Sequence, residues 1–145
     1  MKKLSGGKTL AVAAVAGGAL LASVAPVMAE VSAQSPSQGL VRVESPAKWK
    51  SLGAVVEVQV TYSCPVGTQS AYLNVSLTQA VFGGVAVGGA YKDNLDCTGG
   101  FVTETLNVTA TDRKFSFLTP AFAKSELRGY PNVGAKDERE IKVGL

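Results

Sequence analysis

The 145-residue sequence has no histidine, only two cysteines and a single tryptophan. Lack of histidine removes the commonest general base and the commonest metal ligand, and it excludes Ser-His-Asp and Cys-His catalysis. Two cysteines without histidine cannot complete a structural zinc site. Charge is scarce as well, at 17% Asp, Glu, Lys and Arg. Fourteen bases against eleven acids give +3, and Lys2, Lys3 and Lys8 account for all of that excess. From residue 30 onward the chain is neutral. Phosphate-backbone binding draws its affinity from Lys and Arg displacing counterions, so no nucleic-acid partner is expected. No carboxylate pair or Ser-Lys pair sits in a motif of known mechanics, so neither catalysis nor a cofactor is expected.

What is present begins with an amino-terminal targeting pattern. Lys2, Lys3 and Lys8 form a positive region, and Leu10 to Ala25 is apolar apart from Ser23. Pro26 and the small-residue pattern Val27-Met28-Ala29 follow. This is the layout of a secretory signal peptide over residues 1–29, with cleavage expected after Ala29. A retained anchor would need roughly 20 apolar residues and a positive flank, whereas this run meets Pro26 and Glu30. No integral membrane segment is expected after cleavage. Residues 30–38, rich in Ser, Gln and Pro, read as a flexible leader into one domain over 39–145.

Export determines how the cysteines are read. In an oxidising compartment Cys64 and Cys97, 33 residues apart, are expected to form a disulfide. The strand signal is alternation. Val56, Val58, Val60, Tyr62 and Cys64 share one face, with Glu57, Gln59, Thr61 and Ser63 on the other. Parity changes after Pro65-Val66-Gly67, so Ala71, Leu73, Val75 and Leu77 turn inward while Tyr72, Asn74, Ser76 and Thr78 face out. Val102, Leu106, Val108 and Ala110 alternate with threonines, with Glu104 a misfit on the apolar face. Shorter candidates lie at Val41 and Val43, at Val85 and Val87, over 121–127 and over 139–143. Seven short strands and no helical period after the signal segment predict an all-β fold, an antiparallel immunoglobulin-like β-sandwich.

The run "GAVVEVQVTYSCPVGTQSAYLNVSLTQ", then "NLDCTGG" and a Thr-rich strand, resembles small secreted immunoglobulin-like proteins of actinobacteria. The shared features are Tyr62-Ser63-Cys64-Pro65, Leu77-Thr78-Gln79 and Asp96-Cys97, covering about Gly53 to Ala110. The resemblance implies the same fold and export. It carries no catalytic or binding residue.

Gly83-Gly84-Val85-Ala86-Val87-Gly88-Gly89 lacks the Lys-Ser/Thr of a phosphate loop and reads as a strand or wide loop. Asp93-Asn94-Leu95-Asp96 lacks the spacing of a calcium loop and reads as a polar turn, so no metal is expected. Trp49, flanked by Lys48 and Lys50, is placed in the connection before the long strand, as an end cover or a binding ring. The expected activity is non-catalytic binding at or outside the cell surface, with an extracellular or cell-wall partner. The candidate loops adjoin the disulfide and comprise Gly67, Thr68, Gln69, Asp93, Asn94 and Asp96, with Trp49 as an additional ring. A carrier of a small apolar ligand, using space at Gly83, Gly84, Gly88 and Ala90, and a protease inhibitor are the alternatives.

Overall fold

The structure is a computed structural model that describes residues 38–145. The expected signal segment 1–29 and all of the expected leader except Gln38 lie outside the described residues. The described chain is all-β and, apart from one 3-10 turn at Ser51–Gly53, contains no helix. Its strands are β1 (Leu40–Val43), β2 (Ala47–Lys50), β3 (Val55–Ser63), β4 (Gln69–Val81), β5 (Gly84–Lys92), β6 (Phe101–Ala110), β7 (Ala121–Tyr130), β8 (Val133–Ile141) and β9 (Val143–Gly144).

Alternation builds the core directly. Val56, Val58, Val60 and Tyr62 of β3 are fully buried, as are Leu73, Val75 and Leu77 of β4 and Val108 of β6. Each such side chain contributes about 1.5–3 kcal/mol by leaving water. Pairing register stacks them: Val56 lies opposite Val108 and Val58 opposite Leu106 on β3–β6, while Leu73 lies opposite Leu127 on β4–β7. Glu104 does face inward, opposite Val60, but near the strand's open end, where it meets Lys92 at 3.8 Å. Among the described residues the core draws on positions 41–143, and every strand pairing falls within 40–144. All of these core positions lie within residues 30–145.

Nine strands replace the expected seven. The stretch expected as one strand over 139–143 is divided at Lys142 between β8 and β9, and the other addition is β2; β2 and β9, of four and two residues, are too short to show a period. They pair with each other in parallel, Ala47 opposite Val143, and β2 also pairs with β3.

The strands run in one continuous order, β8-β7-β4-β5-β6-β3-β2-β9, with β1 on β3. Between the long strands the shortest ladder is β5–β6, where only Gly88 with Ala110 and Gly89 with Thr109 are paired. A Cβ at Gly88 would come 2.4 Å from the Thr109 carbonyl oxygen and 3.0 Å from the Phe115 ring. Only glycine allows the two backbones to approach so closely. At the other margin, Val43 N–H of β1 donates to Asp137 Oδ2 of β8 at 2.7 Å. The sheet is thereby nearly closed and barrel-like.

Candidate functional site

Cys64 follows β3 and Cys97 precedes β6, and the two form a disulfide with their Cα atoms 5.0 Å apart. Around it the loop before β6 is tied to Cys64 and to β4. Gly99 N–H donates to Cys64 O at 3.0 Å, and Leu95 N–H donates to Ala71 O at 3.1 Å. Thr68 is fastened within its own loop, its hydroxyl donating to Pro65 O at 2.7 Å. Gly67, with φ +85°, and Asn94, with φ +51°, form the tight turns. Asp93, Asn94 and Asp96 are exposed, and Gln69 already belongs to β4. An open hollow of ≈ 360 Å³ lies beside these loops, lined by Gln38, Gly39, Leu40, Ser63, Pro65 and Gly99.

Trp49 does not join them. It lies in strand β2, not in a connection, and pairs with Val56 at the start of β3. The eight residue steps from Val56 to Cys64 separate it from the bridge by roughly 26 Å of extended chain. Its Nε1–H donates to Phe115 O at 2.8 Å, and its ring meets Phe117 edge-on at 5.2 Å. A four-residue strand behind Pro46 leaves too little alternation to be read as a strand.

The register instead assembles a feature that the linear sequence does not show. On the outward face of β5–β4–β7, Asn74 lies between Tyr91 and Glu126, Ser76 between Gly89 and Lys124, and Thr78 between Val87 and Phe122. Tyr72 leans on Tyr91 across the β4–β5 pair, ring centroids 5.5 Å apart and planes tilted by 36°. Tyr91 is 62% exposed. The face thus has an aromatic end at Tyr72–Tyr91, a floor of small residues at Ser76 and Gly89, and an apolar end at Val87 and Phe122. Charged groups border it: Arg128 pairs with Glu126, and Lys124 meets Glu138 at 2.9 Å. That Glu138 contact raises the Lys124 pKa. Outward parity of Tyr72, Asn74, Ser76 and Thr78 was legible in the sequence. The partner Tyr91 was not, because its place depends on which strand β5 pairs with.

At two of the glycines whose space the carrier alternative would use, neighbouring side chains and backbone fill the room. Gly88 is filled by Thr109 and Phe115, and the Arg113 side chain lies 3.0 Å from where a Gly84 Cβ would stand. Among the described residues no three Cys, Asp or Glu side chains converge as metal ligands. One buried titratable group stands out. Tyr62 has its pKa raised above the ordinary 10.0, first by burial and then by the charges of Glu104 and Asp96, against a hydrogen bond to Asp96 O. That bond is long, at 3.4 Å.

No family model matches the chain, and no curated protein does. Among solved structures the chain is similar to macromomycin, at 18% identity over 73% of this chain and 99% of macromomycin, with a TM-score of 0.33.

Proposed function

We propose that the chain is an exported, non-catalytic immunoglobulin-like binding module that holds a saccharide of the cell envelope against its β5–β4–β7 face. Export is supported by the Lys2, Lys3, Lys8 and Leu10–Ala25 pattern and is compatible with the disulfide. An immunoglobulin-like arrangement is supported by the non-consecutive neighbours β3–β6 and β4–β7, which match how such sandwiches pair their second with fifth and third with sixth strands. The observation that carries the binding role is the Tyr72–Tyr91 pair beside Asn74 and the Arg128–Glu126 pair. Aromatic faces accept the C–H face of a sugar ring, while amide, carboxylate and guanidinium groups meet its hydroxyl edge. The bridge-end loops extend this face, since Asp93 and Asn94 follow Tyr91 and Lys92 directly.

The test is co-sedimentation of residues 30–145 with isolated cell wall, competed by soluble wall fragments. Tyr91→Ala should release most of the bound protein without shifting its melting temperature. Undiminished retention of that variant would sink the assignment of this face.

A carrier of a small apolar ligand is the second reading, favoured by the Val87–Thr78–Phe122 row at the other end of the same face. Native mass spectrometry separates the two, because a carrier retains a discrete added mass.

A further inference from the structure

We infer that the end of the domain opposite the disulfide docks on an anionic lipid bilayer, inserting three apolar turn residues between unpaired cations. Three turns meet there. Leu52 tips the turn before β3, Phe82 tips the β4–β5 turn, and Leu118 tips the loop between β6 and β7. Phe82 is fully exposed, and Leu118 and Leu52 are exposed by 79% and 72%. Direct bonds hold the turns together. Phe115 N–H donates to Gly53 O at 2.8 Å, and the Thr119 hydroxyl donates to Ala80 O at 3.0 Å. The Arg113 side chain lies along Gly83 and Gly84, next to Phe82.

Charge selects the partner. Seven contacts pair Arg42, Lys48, Lys92, Lys124, Arg128, Lys136 and Arg139 with carboxylates. The remaining cations, Lys50, Arg113, Lys114 and Lys142, have no carboxylate of the described residues within 4.0 Å. All four sit at this end: Lys50 precedes the Leu52 turn, Arg113 and Lys114 lie in the β6–β7 loop, and Lys142 shares an open hollow with Phe117 and Leu118. Among the described side chains, Asp112 and Glu140 are the carboxylates there without an ion pair. The opposite end also exposes apolar side chains, yet its unpaired charges are Asp93 and Asp96, which an anionic surface repels. Apolar tips that enter the acyl boundary while flanking cations meet headgroups combine the two contributions that set interfacial membrane affinity, buried apolar area and attraction to anionic lipid. A soluble acidic polymer would use the cations and leave Phe82 and Leu118 unexplained. This surface is distinct from the β5–β4–β7 face and does not depend on it.

Trp49 is the only tryptophan in the chain and packs on Phe117 at this end, so its emission reports contact. Residues 30–145 would be mixed with vesicles of phosphatidylcholine and phosphatidylglycerol in equal parts, and with phosphatidylcholine alone. Co-sedimentation with the anionic vesicles only, with quenching of Trp49 by brominated lipid and release by salt, is the expected result. Phe82→Ser with Leu118→Ser should weaken partitioning at least about tenfold. Lys50→Gln with Lys114→Gln should weaken it about fivefold per charge removed. All four side chains are exposed, so each variant should melt with the parent. A parent that stays in solution beside anionic vesicles, or a serine variant that partitions like the parent, overturns the inference. So does a serine variant that still binds dextran sulfate as tightly as the parent binds vesicles, which would assign the cations to an acidic polymer.

Discussion

Val43 N–H donates to Asp137 Oδ2 at 2.7 Å across 94 residues of sequence, joining β1 to β8 where no backbone ladder does. The same carboxylate is held from the other side by Arg139, at 2.7 Å from Nε and 2.9 Å from a terminal guanidinium nitrogen. With a side chain only 13% exposed, Asp137 closes the sheet through a charge-assisted bond in a nearly dry setting. Asp137→Ala strips the Val43 amide of its acceptor and should cost about 1–3 kcal/mol in urea unfolding. Asp137→Asn retains an acceptor oxygen and should cost less. Equal stabilities for parent and alanine variant would remove this closure from the account.

Gln79 is a buried amide on the inward face of β4, and it fastens the loop that leads to β7. Its Nε2 donates to Ser116 O at 2.7 Å and Thr119 O at 2.5 Å, while Oε1 accepts from Ser116 N–H at 2.7 Å. Gln79→Leu fills a similar volume and satisfies none of these groups. A loss of about 2 kcal/mol is expected, with faster hydrogen exchange at the Ser116 amide. Unchanged exchange at Ser116 would show that the loop is held by other means.

The bridge should matter most at its own end. Cys64→Ser with Cys97→Ser reopens a span of 33 residues, which the chain-entropy model values at about 3–4 kcal/mol. Amides of Leu95 and Gly99, which tie the loop before β6 to β4 and to Cys64, should lose protection before those of Val58 and Leu73. Coincident melting of variant and parent would contradict this.

Alkaline pH should destabilise the domain through Tyr62. Its folded pKa is raised above 10.0, chiefly by burial, so the unfolded chain releases the phenolic proton first as pH rises. Stability is therefore complete below pH 10 and declines as pH climbs from there toward the folded value. Tyr62→Phe should flatten that part of the stability curve while giving up only the long bond to Asp96 O. Parallel alkaline melting curves for the two proteins would refute the linkage.

Much of this architecture is written in the chain's alternation. Val56 to Cys64 and Ala71 to Leu77 could be assigned to strands and to faces without coordinates, because a period of two leaves one arrangement that buries the valines and leucines. Cys64 and Cys97 could be paired on other grounds: two cysteines in a chain with an export pattern have only each other to bond in an oxidising compartment. Short β2 escaped, since four residues after Pro46 carry no readable period, and Trp49 was misplaced with it.

What the sequence by itself determined is the all-β class, the inward faces of the long strands and the partnership of the cysteines, each of them a consequence of local period or of chemistry with one solution. Tertiary structure alone decided which outward residues share a face and which charges go unpaired. Tyr72 meets Tyr91 only because β5 pairs with β4 in one register, and Lys50, Arg113, Lys114 and Lys142 collect at one end only because three distant turns converge. Such relations depend on strand order and register, which are set by the packing of the whole core and have no period in the chain to announce them.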